Sequence, residues 1–183
     1  MPAALLLMDF QVGVVDRLGS PEVVAAARTA LDAARRDAVP VIYVRVAFRE
    51  GAPEVSSRNR SFSALVGQDS MGLDDPGTQV VEALAPVTGD IVVVKRRVSA
   101  FTGSDLEVVL RALEVDHLVL AGIAASGVVL STLREAADRD YRLTVLADAC
   151  SDGDDEVHRV LTEKVFPRQA DVTTVRSWAA ALG

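Results

Sequence analysis

The sequence predicts an α/β fold, a three-layer α/β/α sandwich around a parallel sheet. Half of the 183 residues are hydrophobic, which is enough to bury one sizeable core. Short apolar runs alternate with stretches of helical spacing, and this order is typical of parallel sheets covered by helices. Most of the runs are almost continuously apolar, as expected for strands buried on both faces. No repeat or linker divides the chain, so residues 1–183 are predicted to form a single domain.

The predicted strands are the short apolar runs. The first covers residues 3–8 and ends at Asp9. The others cover residues 41–46, 91–94, 117–121, 143–146 and 172–174. In such sheets ligands bind beyond the carboxyl ends of the strands, where the strand order reverses. We therefore expect the site at that edge.

The predicted helices rest on capping signals and spacing. Ser20 and Pro21 provide an N-cap and a first-turn proline for an alanine-rich helix over residues 22–37. Ser104 and Glu107 have the spacing of a capping box before a helix that ends at residue 113. Further helices are predicted over residues 80–84, 127–138, 154–166 and 177–182.

Residues 48–75 show weak periodicity and are predicted to form a long loop. A loop of this length inside a compact domain usually indicates function or a partner surface. Its first part, from Phe48 to Phe62, is basic and aromatic. Three interpretations stay open for it: a lid over the site, a subunit contact, or a solvated loop.

Charge and composition exclude several classes of protein. The net charge of −7 argues against nucleic acid or an anionic membrane as a partner. No apolar run is long enough for a transmembrane helix, and the start of the chain lacks the basic segment of a signal peptide. A single cysteine, Cys150, fits a reducing compartment. We expect a soluble cytoplasmic protein.

Neither a metal nor a dinucleotide cofactor is predicted. The two histidines, His117 and His158, are far apart and have no ligand-type spacing. The segment after the first strand, Asp9 to Gly13, lacks a glycine-rich phosphate loop.

Two charged residues at predicted strand ends are candidates for chemistry. Asp9 ends the first strand and is either a general acid or base or a carboxylate that caps a turn. Lys95 ends the third and either holds a substrate carboxylate, keeps Asp9 ionised, or is simply solvated. Because these ends lie at one sheet edge, the two side chains are expected to converge on one crevice.

The turn over residues 122–129 joins a strand to a helix through small residues. Its N–H groups suit an oxyanion, although ordinary strand-to-helix packing explains the same residues. Ser126 is predicted to be an N-cap rather than a nucleophile, because no histidine is placed to activate it. Cys150 lies in an acidic segment that would raise its pKa, so a buried structural role is preferred over a relocated nucleophile.

Several motifs together resemble the isochorismatase-like superfamily of hydrolases. They are Leu6 to Gln11, Val93 to Lys95, Ser99 to Leu106, the turn from Gly122 to Ser126, Arg134 to Asp138, and Thr144 to Cys150. They follow the order and spacing of the family over nearly the whole chain. The resemblance implies a Rossmann-like sheet of six parallel strands in the order 3-2-1-4-5-6. It also implies a homodimer or a higher homo-oligomer.

The sequence matches the catalytic residues of the family at two positions and differs from them at a third. The amidohydrolase branch uses an Asp–Lys–Cys triad, of which Asp9 and Lys95 match the first two members. The cysteine position is Val128, so a thioester mechanism is not available. In the isochorismatase branch the aspartate protonates a vinyl ether without a nucleophile. The turn of that branch usually reads Gly-Val-Tyr-Ala-His, whereas residues 122–126 read Gly-Ile-Ala-Ala-Ser.

The resemblance also suggests substrate contacts and a backbone feature. A non-proline cis peptide common in the family would match the bond between Ala124 and Ala125. Arg58 is a further candidate anchor for a substrate carboxylate. The expected substrate-binding residues are Gln11, Arg45, Arg97, Phe101, Ala124, Ala125, Ser126 and Val128.

The resulting hypothesis is a hydrolase that acts without a covalent cysteine intermediate and without a cofactor. Asp9 would be the general acid or base and Lys95 its cationic partner, on a small carboxylated or carbonyl-containing molecule. The alternative is a non-catalytic family member that binds a small molecule or a partner protein, with Val128 on the floor of its pocket.

Overall fold

A parallel sheet lies at the centre of the computed structural model, which describes residues 2–68 and 71–182. Its six strands have the order β3-β2-β1-β4-β5-β6, as the resemblance implies. They are β1 Ala3–Met8, β2 Val41–Val46, β3 Ile91–Lys95, β4 His117–Ile123, β5 Arg142–Ser151 and β6 Asp171–Thr173. The order reverses between β1 and β4, so the carboxyl ends of these two strands flank the predicted crevice.

Helices cover both faces of the sheet, which confirms the predicted fold class. They are α1 Val12–Leu18, α2 Pro21–Arg36, α3 Arg60–Gln68, α4 Leu106–Ala112, α5 Leu130–Ala137, α6 Asp155–Val160 and α7 Val175–Leu182. A π-helical turn, Ala125–Val129, leads into α5, and another, Leu161–Val165, continues α6. Short 3-10 turns cover Pro76–Thr78, Glu82–Leu84 and Phe166–Arg168.

Residues on β1 alternate between two cores, one on each face of the sheet. Leu6 and Met8 pack against α4 and α5, whereas Leu5 and Leu7 pack against α2 and α7. None of the four is more than 1% exposed. Full burial of such a side chain contributes about 1.5–3 kcal/mol. The apolar run therefore anchors the strand and fixes the place where Asp9 leaves the sheet.

Two helices are absent from the sequence prediction. α1 begins three residues after Asp9, and α3 lies inside the predicted loop over residues 48–75. The loop prediction is therefore wrong for α3, which packs Phe62 with Val46 and Phe48 in a small core of its own. The rings of Phe48 and Phe62 meet edge to face, with centroids 5.6 Å apart. This local packing holds α3 beside the end of β2.

Other differences concern the ends of elements. The capping box at α4 does not form, because Glu107 instead pairs with Arg111 and Arg139. The Ser104 hydroxyl does accept a hydrogen bond from the N–H of Leu106, at 3.2 Å. The predicted helix over residues 80–84 is a 3-10 turn. β5 runs for ten residues and continues past a register shift to include Cys150.

Across residues 2–68 and 71–182, no helix has both the length and the apolar character needed to cross a membrane.

Candidate active site

Asp9 and Lys95 form a buried ion pair beyond the carboxyl ends of β1 and β3. Nζ of Lys95 lies 2.9 Å from Oδ2 of Asp9, and the side chains are 2% and 9% exposed, respectively. β2 separates the two strands, so the lysine side chain must reach across its end. The same ammonium donates to the carbonyl oxygens of Arg97 and Val98, both at 3.1 Å. The expected convergence of these residues is observed, and their catalytic roles stay predictions.

The backbone of Asp9 turns sharply out of the sheet. Its φ is +57°, in the left-handed region, where a non-glycine residue is strained by about 1 kcal/mol or more. Its N–H donates to the carbonyl of Val44 at 2.8 Å, which fixes the turn against β2. The strain is thus held at the residue whose carboxylate meets Lys95.

The second carboxylate oxygen of Asp9 is unsatisfied. Within residues 2–68 and 71–182, no donor hydrogen-bonds to the buried Oδ1 atom. Burial raises the pKa of Asp9, and the charge and hydrogen bond of Lys95 offset part of that rise. A buried acceptor without a partner costs about 1–3 kcal/mol. Oδ1 is therefore ready to hold a proton or to accept a hydrogen bond from a ligand.

A cavity of about 500 Å³ opens beside this ion pair. Its walls are mainly apolar and come from the strand ends, α1, α3 and the turn before α5. Its lining consists of Asp9, Val14, Arg17, Leu18, Val46, Ser61, Phe62, Leu65, Lys95, Val98, Ile123, Ala124, Gly127 and Val128. The volume lies within the range of small-molecule sites.

The turn before α5 departs from its predicted geometry. The cis peptide bond joins Ile123 and Ala124, one bond earlier than predicted. Ser126 is not a side-chain cap; instead its N–H donates to the carboxylate of Asp152 at 2.7 Å. The N–H groups of Gly127 and Val129 bond to the carbonyl of Ala124. These three donors are satisfied within the chain, so these N–H groups are not free to bind an oxyanion, which was one of the two interpretations of the turn.

Gln11 lies outside the cavity, which corrects its predicted placement. Its amide nitrogen donates to the carbonyl oxygens of Val46 and Thr78, both at 2.9 Å. Its amide oxygen accepts from the N–H of Val46 at 2.8 Å. The side chain therefore ties the start of α1 to the end of β2 rather than presenting its amide to a ligand.

The predicted arginine anchors also lie outside the cavity lining. Arg45 donates to the carbonyl oxygens of Leu73 at 2.9 Å and Thr78 at 3.3 Å, and partial burial lowers its pKa. Arg97 donates to the carbonyl oxygen of Glu54 at 3.0 Å. Arg58 is exposed. The guanidinium groups of Arg45 and Arg97 bond to loop carbonyls, and none of the three arginines belongs to the cavity lining of the described residues.

Among the other predicted contacts, only Ala124 and Val128 line the cavity. Ala125 is buried in the core. Phe101 is also buried in the core, with its ring below the guanidinium of Arg139 at 4.7 Å and beside the ring of Tyr141. The predicted placement of Ala125 and Phe101 in the pocket is therefore corrected.

Cys150 is a poor nucleophile in this structure. It is 4% exposed and packs in the core between β4 and the helices of one face. Burial raises the pKa of its thiol to about 12, so the thiolate is scarcely populated at neutral pH. This agrees with the structural role preferred from the sequence.

Sequence reasoning missed the walls supplied by α1 and α3. Phe62 and Leu65 are three residues apart and share one face of α3, a spacing that a search for helical periodicity in the loop would have found. Val14 and Leu18 are four apart on α1 and give the same signal. No group of three or more His, Cys, Asp or Glu side chains suited to a metal occurs in the part of the chain that is described.

The sheet order and the polar pair at its carboxyl edge define an α/β protein with a candidate site where the order of a parallel sheet reverses. Residues 3–177 match the isochorismatase domain, and the chain belongs to the isochorismatase family of hydrolases.

Known relatives span nearly the same length. The chain is 34% identical over 165 residues to YwoC of Bacillus subtilis, an uncharacterized isochorismatase family protein, covering 90% of this chain and 86% of that protein. It is 29% identical over 176 residues to maleamate amidohydrolase of Pseudomonas putida, covering 93% and 82%. A cysteine hydrolase structure from Pseudomonas syringae superposes with a TM-score of 0.91 at 27% identity, covering 99% of this chain and 92% of that chain.

Proposed function

We propose that this chain hydrolyses a small carboxylated or carbonyl-containing molecule by general acid–base catalysis from Asp9, without a covalent enzyme intermediate. The observation that carries the proposal is the unsatisfied, buried Oδ1 of Asp9 at the wall of an apolar cavity. The amidohydrolase activity named for a relative supports hydrolysis as the reaction class.

The raised pKa of Asp9 suits the first step. A protonated carboxylic acid in a cavity donates its proton to a basic atom of the bound molecule as the bond to the leaving group weakens. In a vinyl ether that atom is the enol-ether carbon, and in an amide or ester it is on the leaving group. In the vinyl ether, water then adds to the resulting oxocarbenium carbon and returns a proton to the Asp9 carboxylate, and the hemiketal breaks its C–O bond to release the alcohol and leave a carbonyl product. In the amide or ester, water adds to the carbonyl carbon and returns a proton to Asp9, while the bond to the protonated leaving group breaks and releases the amine or alcohol.

Lys95 stabilises the product of that proton transfer. Once Asp9 has lost its proton, the resulting carboxylate lies 2.9 Å from the ammonium. The attraction is strong because both groups are buried and excluded from bulk water. The carbonyl oxygens of Arg97 and Val98 fix the ammonium in place, so it needs no rearrangement during the reaction.

Val128 supports a route without covalent catalysis. It lines the cavity, the sequence resemblance assigns the family cysteine to this position, and valine has no nucleophilic atom. The one cysteine of the chain is buried elsewhere, and its raised pKa argues against its use. Water is then the remaining nucleophile, and acid catalysis from Asp9 compensates for its weakness.

The second candidate function is binding without turnover. The apolar Val128 and Ile123 at the cavity floor favour it, since a hydrophobic floor suits retention of a ligand. In that case the ion pair would serve to orient a carbonyl or hydroxyl group.

A substrate screen separates the two functions. Vinyl ethers, amides and esters are incubated with the wild type and with Asp9→Asn, and product is measured by mass spectrometry. We expect turnover by the wild type and a loss of at least about a hundredfold in Asp9→Asn, the size typical of general acid–base catalysis. Cys150→Ser is the matched control, and it should keep its activity because the thiol is outside the cavity.

Two outcomes would overturn the proposal. Equal turnover in the wild type and Asp9→Asn would remove Asp9 from the chemistry. Loss of turnover in Cys150→Ser, with the circular dichroism of the folded protein retained, would restore a thiol mechanism.

A further inference from the structure

We propose that the cavity selects an uncharged small molecule with an apolar aryl-sized or branched-alkyl group, rather than a carboxylated one. The inference rests on the proposed function for the position of the reacting group, and it narrows the substrate class. It is carried by the apolar wall from α1 and α3 and by the charge balance of the site.

Apart from the ion pair, most of the cavity lining is hydrophobic. Leu18 of α1 and Phe62 and Leu65 of α3 line the cavity together with Val46, Val98 and Val128. Burial of apolar ligand surface against such a wall contributes about 25 cal/mol per Å². A charged group placed there would lose its hydration and gain no polar partner from these side chains.

The charges of the lining leave no buried cation for a ligand carboxylate. When Asp9 is ionised it pairs with Lys95, and in that state the two side chains together add no net charge to the cavity. The remaining lysine donors bond to the carbonyl oxygens of Arg97 and Val98. Arg17 is the other lining cation among the described residues, and it is exposed to solvent, with its Nε donating to the carbonyl oxygen of Gly13 at 2.9 Å.

Packing of Phe62 against Phe48 and Val46 holds the apolar wall of the cavity in place. The ring of Phe62 meets Phe48 edge to face, and the small core of Val46, Phe48 and Phe62 fixes α3 against β2. An aromatic pair of this kind adds about 0.5–1.5 kcal/mol beyond its buried area. A preformed apolar wall of this kind selects by shape and polarity without paying to reorganise on binding.

These features orient the ligand. Its apolar group lies against Phe62 and Leu65, and its carbonyl or ether oxygen faces Asp9 and Lys95. A proton on Asp9, or the ammonium of Lys95, then meets the polar atom where reaction occurs.

Acetophenone and benzoate test the selection directly. The two molecules have nearly the same size. At neutral pH acetophenone carries an uncharged ketone and benzoate carries an ionised carboxylate, and neither can be hydrolysed. Binding to the wild type is followed through the methyl resonances of Leu65 and Val128 during NMR titration. We expect acetophenone to bind at least about tenfold more tightly than benzoate, because the cavity would have to desolvate an unpaired charge.

A charged wall should reverse the preference. Leu65→Lys places an ammonium on the cavity wall and should raise the affinity for benzoate relative to acetophenone. Ala64→Lys adds the same charge on the exposed side of the same helix and should leave the ratio unchanged.

The inference is overturned if benzoate binds to the wild type as tightly as acetophenone, or if neither probe shifts the two methyl groups. Because neither probe can turn over, a failure of the proposed hydrolysis does not change this result. Conversely, efficient Asp9-dependent hydrolysis of a carboxylated substrate together with tight benzoate binding would refute the selection and keep the proposed function.

Discussion

The ammonium of Lys95 lies 2.9 Å from Oδ2 of Asp9, and both side chains are almost completely buried. The two residues end strands that are not neighbours in the sheet, so their contact closes over the end of β2. Two backbone carbonyls orient the lysine, while one oxygen of the aspartate has no hydrogen-bond partner among the residues that the structure describes. The ammonium of Lys95 is therefore fixed in position, whereas the free oxygen of Asp9 can hold a proton or accept a hydrogen bond.

Removing the cation should destabilise the protein in a pH-dependent way. The pKa of Asp9 is raised in the folded state, so the folded protein binds this proton more tightly than the unfolded chain. The favourable contribution is complete below the ordinary value of 3.8 and is lost as the pH rises toward the folded pKa. Without Lys95 the folded pKa rises further, and the loss becomes larger.

We therefore expect Lys95→Met to lower the free energy of unfolding by about 3–5 kcal/mol at neutral pH and by less near pH 4, where Asp9 takes up a proton. Urea unfolding at the two pH values measures this. The double variant Asp9→Asn with Lys95→Met should recover part of the loss, because it removes the buried charge. A loss that is independent of pH would contradict the coupling.

A thiol placed at position 128 should be reactive, whereas the native one is not. Val128 lines the cavity next to the ion pair, while Val129, the next residue in the turn, is fully buried in the core. We expect Val128→Cys to be alkylated by iodoacetamide in the native protein and Val129→Cys to resist. Intact-protein mass spectrometry gives the rates, with Cys150→Ser as the background. Equal labelling of the two variants would place Val128 away from the cavity.

Gln11 should prove to be a structural residue. Its side chain makes three hydrogen bonds to the backbone of Val46 and Thr78 in a buried position. Gln11→Leu leaves those backbone groups unsatisfied and should cost at least about 2 kcal/mol of stability, measured by urea unfolding. Gln11→Glu keeps the acceptor for the N–H of Val46 but replaces the donor to two carbonyl oxygens by a buried carboxylate oxygen, so it should cost at least as much as Gln11→Leu at neutral pH. A ligand-binding defect without a loss of stability would restore the contact expected from the sequence.

The turn before α5 should depend on a distant carboxylate. Asp152 follows β5 and accepts the N–H of Ser126 at 2.7 Å. Asp152→Ala should cost about 1 kcal/mol in thermal or urea unfolding, as for the loss of a helix cap. Asp152→Asn retains an acceptor oxygen and should cost clearly less. Equal losses in the two variants would assign the effect to charge rather than to the hydrogen bond.

The sequence predicted the sheet and its polar pair because both follow from local patterns. Continuous apolar runs give strands such as β1, and a charged residue at the end of each run gives Asp9 and Lys95. The hydrogen-bond partners of Arg45 and Arg97 could not be predicted in this way, because the backbone carbonyls that accept from them lie far away in sequence. The prediction that Ser126 caps the helix was wrong for the same reason, because the carboxylate that binds its N–H belongs to Asp152, 26 residues further along.

The apolar side of the site was missed for a different reason. α3 lies in a stretch whose glycines and prolines obscure its short periodic segment, and its packing depends on contact with Val46 and Phe48. Sequence reasoning therefore found Asp9, Lys95 and Val128, whereas the apolar wall from α1 and α3 depends on tertiary packing.

The pH dependence of kcat/KM for a substrate found in the screen tests the central claim most directly, because it reports the ionisation of the free enzyme. If protonated Asp9 is the acid, kcat/KM is highest at low pH within the range where the protein stays folded. It then falls about tenfold per pH unit above the raised pKa of Asp9. A kcat/KM that rises with pH, or that stays level across the folded range, would contradict general acid catalysis by Asp9.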